Sequence, residues 1–257
     1  MQNTKYLLPC IYILLFFACK NVFASNTYLF AVNTPSAPPY LYIDPKSNTY
    51  IGLINDVAQE VTRIHKVKFK FIDSHRNRNE ALIYSGKVDA FLLSRVWLQH
   101  PEKIIATIPL FSHRMFLYQM KPFNDSFTLA DIREQSVCTR ESYVYPSLTE
   151  MAESGIISRV DSRSQLSVMS MLVAGRCDYA IMNEFNAIKV FNSPSFEGHK
   201  IFRSPAPSDE THTEIILRPE LTELKNQFDQ TIAAMQKDGS LQKSLQHHVE
   251  SKFPYNK

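Results

Sequence analysis

Two stretches of this chain are near copies of one another: SGKVDAFLLS, Ser85 to Ser94, and AGRCDYAIMN, Ala174 to Asn183. Each leaves residues of helical character through a Gly, passes a basic residue, an apolar or small residue and an Asp, and enters an apolar run short enough for a buried strand. A chain that makes the same helix-to-strand junction twice is built from two similar halves. Asp89 and Asp178, shared by the two copies, are expected to orient the junction by accepting backbone N–H bonds, a structural rather than a catalytic role.

The elements around each junction point to sheets wrapped by helices. Tyr28 to Asn33 is an apolar strand, followed by a loop holding Pro35, Pro38 and Pro39. Ile54, Val57, Ala58, Val61 and Ile64 fall on one helical face, and Val67 to Ile72 alternates as a strand should. A helix from about Asn79 ends at Gly86, which suits a left-handed cap, and a third strand follows. After an extended stretch, Met115 to Met120, the order restarts. Thr128 with Asp131 resembles a helix-start box; SVCTR is a strand; a helix begins near Ser142; GIISRVD is a strand; a helix runs from about Gln165 to Ala174; and CDYAIMN is the last strand of this half. Beyond it, His212 to Arg218 is a strand, Pro219 to Lys237 an amphipathic helix, and a polar helix runs toward Val249. Strand, helix, strand, helix, strand, given twice, implies an α/β fold of two lobes, each a mostly parallel sheet flanked by helices. The divisions expected are 25–119 for the first part of lobe 1, 120–203 for lobe 2, and 204–257 for the return to lobe 1. Two crossings between lobes make a two-strand hinge.

Residues 1–24 stand apart from this pattern. Lys5 precedes an apolar stretch, Tyr6 to Ala18, and Val22-Phe23-Ala24 offers small residues at cleavage positions, so the segment reads as a secretory signal peptide and the mature protein as periplasmic. LFFAC, ending at Cys19, is the competing reading, a loose likeness to a lipid-anchoring site. Without the leader, which carries Lys5 and Lys20 and no acid, 28 Lys+Arg becomes 26 against 25 Asp+Glu, a net charge near +1. With no clustered basic stripe, neither nucleic acid nor a membrane surface is an expected partner. Cys138 and Cys177 remain in an oxidising compartment, where one disulfide between them is permitted; two buried thiols are the alternative. No CxxC or His/Cys cluster has metal-ligand spacing, and His247-His248 reads as a solvated pair on a polar helix, so no metal and no cofactor is expected.

The order of these elements, with several phrases, resembles the family 3 extracellular solute-binding proteins, typified by the binding components of polar amino acid importers. The phrases are PPYLYIDPKSNTYIGLINDVAQEV, ALIYSGKVDAFLL, PLF, MLVAGRCDYAIMN and AAMQKDGSLQKSLQ. The resemblance implies a protein of the type II periplasmic binding fold that shuts two lobes on a ligand, and only contacts stronger in the shut form shift that equilibrium.

It also implies where ligand groups would lie. The family's Thr-Pro-Glu-Arg phrase appears as HPEK, placing Lys103 where an Arg would meet a carboxylate, and Arg95 is the substitute. Ser142 and Tyr143 offer donors at the second-lobe helix start, where a helix N-terminus attracts anions. The acid that would meet an ammonium falls at Asn183, with Glu184 beside it; Asn carries no charge, which questions an ordinary α-amino acid unless Glu184 turns inward. Tyr40 is a stacking candidate; Tyr42 and Trp97 are open between core and cleft, while Arg76 and Arg78 read as loop charges with an anionic ligand as the lesser alternative. The function implied is capture of a small polar, carboxylate-bearing solute by a monomer that serves an ABC-type permease. A cyclohexadienyl dehydratase-like enzyme on the same scaffold, with Glu184, Glu141 and His100 as acid/base candidates, and a ligand-sensing partner of a membrane receptor are the alternatives.

Overall fold

The computed structural model describes residues 26–33 and 38–250. The leader with Cys19, and Pro35 of the Pro-rich loop, lie outside the described residues. Lobe 1 opens with β1 (Thr27–Asn33), a two-residue hairpin of β2 (Tyr42–Ile43) and β3 (Tyr50–Ile51), α1 (Leu53–His65), β4 (Lys68–Ser74), α2 (Arg76–Tyr84), β5 (Ala90–Leu93) and β6 (Ile105–Ala106). The chain then crosses on β7 (Phe111–Gln119). Lobe 2 contains β8 (Ser136–Arg140), α3 (Pro146–Glu153), β9 (Ser158–Ser162), α4 (Gln165–Val173), β10 (Tyr179–Asn183), α5 (Glu184–Phe191) and β11 (Phe202–Arg203). The return is on β12 (Asp209–Leu217), followed by α6 (Thr222–Lys237) and α7 (Ser240–Glu250) against lobe 1.

Apart from β2 and β3, which pair only with each other, the strands form one continuous curled sheet in the order β4-β1-β5-β12-β7-β10-β8-β9, with β6 on β12 and β11 on β7. Pairing is parallel within β4-β1-β5 and within β10-β8-β9. In the middle, β7 and β12 run antiparallel, from Phe111 opposite Thr213 to Met115 opposite Asp209. Each of these long strands serves both lobes: the far end of β12 pairs with β5, and that of β7 with β10. They are the two strands of the hinge.

The lobes pack separate cores. In lobe 1, Leu53, Ile54, Val57 and Val61 on α1, all fully buried, meet Phe228 and Ile232 of α6. In lobe 2, Val168, Met169 and Leu172 of α4 pack on Cys138 and Met182, while Ile132, Val137, Tyr145 and Ile181 fill the other sheet face. Cys138 and Cys177 are disulfide-bonded, tying β8 to the segment before β10.

Asp89 and Asp178 hold equivalent places. The Asp89 carboxylate accepts from the backbone N–H of Leu29 at 2.7 Å and that of Asp178 from Ser136 at 2.8 Å, so each clamps its turn onto the neighbouring parallel strand. Asp89 also pairs with Arg218.

Three readings of the sequence need correction. The second-lobe helix begins at Pro146, because Ser142 sits in the left-handed region at φ 64° and Pro146 supplies the preset φ of a first helical position. The helix expected from Asn79 begins earlier, at Arg76. His248 is buried rather than solvated, with its ring nitrogens 2.9 Å from the Tyr42 hydroxyl and 3.0 Å from Asp56. Among the described residues, no cluster of three metal-ligating side chains forms, and no helix is long and apolar enough to cross a membrane.

Candidate ligand cleft

The first turn of α1 fixes the Tyr40 side of the cleft. Leu53 and Ile54 donate their backbone N–H groups to the carbonyls of Pro39 and Tyr40, both at 3.0 Å. Gly52 permits that approach, since at φ 125° a Cβ would come within 2.5 Å of the Tyr40 carbonyl oxygen. Tyr40 is thereby held over the hinge, stacked on Phe111 at 5.1 Å and edge-on to Phe185 at 6.3 Å. Burial, then the charges of Glu184 and Tyr143, pushes its hydroxyl well above the ordinary tyrosine range, so it remains a donor. It donates to Asn183 Oδ1 at 3.0 Å, a direct bond from lobe 1 to lobe 2.

Asn183 is 1 % exposed and fully engaged. Its Oδ1 caps α5 by accepting from Phe185 N and Asn186 N, and its Nδ2 donates to the Arg114 carbonyl at 3.2 Å. Glu184 does not turn toward Tyr40's side of the cleft as a free acid. Both of its oxygens are taken at 2.8 Å by Arg114 in a bidentate pair, with Arg203 at 4.0 Å. Arg95 is likewise committed, its Nε and one terminal nitrogen each 2.9 Å from Glu214, whose other oxygen accepts the Arg95 backbone N–H. Lys103 is exposed, 5.7 Å over the Tyr84 ring. At the start of α3, the N–H and hydroxyl of Ser147 are bound by Asp209 at 2.8 and 2.6 Å, so the protein's own carboxylate takes the place where a helix N-terminus attracts an anion.

Ser142 and Tyr143 stand just before that helix, with the Arg140 guanidinium 4.9 Å from the Tyr143 ring. Ser142 faces a cavity of about 310 Å³ between the lobes, lined from lobe 1 by Arg76, Glu80, Ala81, Tyr84, Trp97, Gln99 and His100 and from lobe 2 by Ser142 and Val144. A broader groove over Thr49, Tyr50, Phe69 and Phe71 belongs to lobe 1 alone, so it cannot couple ligand to closure.

Arg76 is the residue the sequence undervalued. It begins α2, lies over the Trp97 ring at 5.9 Å, and donates to the Trp97 carbonyl at 3.3 Å. Burial depresses its pKa, offset in part by Tyr143 and Glu80. Among the described residues no carboxylate pairs with it, whereas the buried or half-buried acids Glu184, Glu214 and Asp89 each have an Arg. Behind Trp97 lies His113, 5.0 Å away edge-on and 3.4 Å from Asn183 Nδ2, a second buried ring the sequence did not single out.

The model of the bacterial extracellular solute-binding proteins, family 3, matches residues 30–251. The chain belongs to that family. Solved structures share its fold at low identity. An amino acid ABC transporter substrate-binding protein from Streptococcus pneumoniae, solved with L-arginine, has 17% identity and a TM-score of 0.67 over 88% of this chain and 95% of that one. A histidine kinase sensor domain with similarity to periplasmic binding proteins has 18% identity and a TM-score of 0.72 over 88% and 97%. An ancestral amino acid-binding protein described as a precursor of cyclohexadienyl dehydratase has 14% and 0.66 over 88% and 96%. At these identities the likeness speaks for the two-lobed type II fold of this solute-binding protein. Among curated protein sequences, none matches the chain.

Proposed function

We propose that this family 3 protein is a monomeric periplasmic binding protein that captures a small carboxylate-bearing solute between its lobes, without catalysis, and presents it to an ABC-type permease. The observation that carries this reading is Arg76: a half-buried cation, unpaired among the described residues, in a cavity walled by both lobes. An anion arriving there relieves an under-solvated charge and touches lobe 2 at the same time, which favours the shut form. Arg76, Ser142 and Val144 hold the solute; Tyr40, Asn183, Glu184 and Arg95 brace the walls, and Lys103 adds positive potential at the rim. The small cavity suits a single small molecule rather than a peptide.

Of the acid/base candidates for the enzyme reading, Glu184 is locked to Arg114, Glu141 is exposed 3.9 Å from Arg163, and His100, at the cavity wall, is half exposed beside Glu102. Of the three, only His100 lines the cavity, on the same wall as Glu80 and Tyr84, so the binding reading rests on Arg76 and turnover is the outcome that counts against it.

Calorimetric titration with amino acids, mono- and dicarboxylates and short peptides tests it. At least one small carboxylate is expected to bind saturably, and Arg76→Ala should weaken it roughly ten- to hundredfold, the value of one charge-assisted contact of about 1.5–3 kcal/mol. Silence across the panel from a folded protein, or turnover of prephenate or arogenate, would reject the proposal.

A further inference from the structure

The carboxy-terminal helix carries a buried polar network outside the cleft. His248 of α7 is 5 % exposed; its Nδ1 lies 2.9 Å from the hydroxyl of Tyr42, itself 3 % exposed, and its Nε2 lies 3.0 Å from Asp56 Oδ2. Ser244, one turn earlier on α7, donates to the same Asp56 oxygen at 2.6 Å. With Asp56 ionised, the ring nitrogen facing it carries a proton, and a neutral ring then accepts from Tyr42 through Nδ1. Polar groups buried this deeply are costly unless bonded, and α7 already holds to lobe 1 through Leu241, Leu245 and Val249. Apolar contacts are non-directional and tolerate small slides of a helix, whereas these directional bonds set one register.

Both partners of His248 lie beside the anchor of Tyr40. Asp56 is in the first turn of α1, with its backbone N–H on the Gly52 carbonyl, and the Leu53 and Ile54 N–H groups of that turn hold the Pro39 and Tyr40 carbonyls. Tyr42 stands two residues past Tyr40 and pairs with Ile51, immediately before Gly52. α7 therefore grips the Tyr40 segment at two points, through Tyr42 and through the helical turn that binds its carbonyl. Tyr40 in turn makes the bond to Asn183 across the cleft. We infer that His248 and Asp56 are positioning residues for lobe closure: α7 sets where the Tyr40 hydroxyl stands and so how well it reaches Asn183. The inference rests on lobe closure, not on the solute's identity, and its test needs no ligand, so its failure would leave solute capture at Arg76 standing.

Nitroxide labels on Lys87→Cys in lobe 1 and Glu153→Cys in lobe 2, both exposed positions, read the open and shut populations of the free protein by double electron–electron resonance. Circular dichroism and melting curves accompany every variant. Asp56→Ala, which releases both donors, should raise the open-to-shut ratio about threefold, within the value of the single Tyr40 bond. Asp56→Asn keeps an oxygen for His248 and Ser244 to share and should leave the ratio as it is in the native protein. In a Tyr40→Phe background the cross-cleft bond is absent, so Asp56→Ala should still lower the melting temperature but leave the ratio where Tyr40→Phe alone puts it. A ratio unmoved by Asp56→Ala while the melting temperature falls would make the network structural only and overturn the inference. An equal rise in both backgrounds would do the same, since α7 would then act on lobe 2 through a different contact. So would a ratio in Asp56→Asn as high as in Asp56→Ala, because charge rather than position would be at work. Should Asp56→Ala not fold, Ser244→Ala, which removes one bond to Asp56 and keeps His248, enters the same cycle with the same readings.

Discussion

His113 sits where the hinge meets the cleft, with Trp97 edge-on, Tyr40 at 6.4 Å between centroids, and Asn183 beside its ring. Burial pulls its pKa down to about 4. The unfolded chain protonates this ring near pH 6.5, so on acidification the unfolded state takes the proton first. Stability contributed by neutral His113 is therefore complete above about pH 6.5 and falls as pH drops toward 4. Between pH 7 and pH 5 the loss should be about 2 kcal/mol, at roughly 1.4 kcal/mol per pH unit below the unfolded pKa. Urea midpoints at the two values measure it, and His113→Asn should flatten the slope; an unchanged slope would place His113 in a hydrated setting. Nothing in FSHRMF marks this His, because a lone imidazole on a strand looks alike whether it faces water or a packed hinge. Arg76 was obscured for a related reason. Charged residues at a helix start are usually solvated, and only the arrival of lobe 2 opposite it turns this one into a cleft residue.

At the level of elements, the disulfide between Cys138 and Cys177 closes a loop of 39 residues that contains α3, β9 and α4. By chain entropy, such a closure contributes about 3–4 kcal/mol. Reduction, or Cys138→Ser with Cys177→Ser, should lower the melting temperature while leaving the far-ultraviolet spectrum folded; an unaltered melting curve in reductant would show that the bond adds nothing. Periodic elements were legible: α1, α4, α6 and the strands flanking each Gly-Asp junction follow from apolar spacing that local chemistry reinforces. The start of α3 was less so. The sequence offered Ser142 as the beginning, but Arg140 to Tyr143 form a turn built on a left-handed residue, which no periodicity announces. α5 was missed altogether because β10 runs straight into it, with Asn183 serving as last strand residue and cap at once.

For the whole molecule, one bond reports closure. The Tyr40 hydroxyl reaches Asn183 across the cleft, and Tyr40→Phe removes it while keeping the stack on Phe111. Two N–H groups still satisfy Asn183 Oδ1, so no buried acceptor is orphaned. The cost to the shut form should be about 0.5–1.5 kcal/mol, enough to raise the open population up to roughly tenfold. Small-angle scattering of the free protein should show a larger radius of gyration for the variant; identical curves would mean that other contacts govern closure. The two-lobed plan was legible from the echoed junctions, but the pairing of ligand-facing groups was not, since it depends on which acids the protein has already neutralised with its own arginines. The antiparallel pairing of Met115 with Asp209 has one more consequence. The chain enters and leaves the second lobe side by side, about one strand spacing of 5 Å apart. Topologically that lobe is a cassette: swapping it for the equivalent piece of a relative needs only two neighbouring splices, so one half of the recognition surface can be inherited or re-engineered without rebuilding the other.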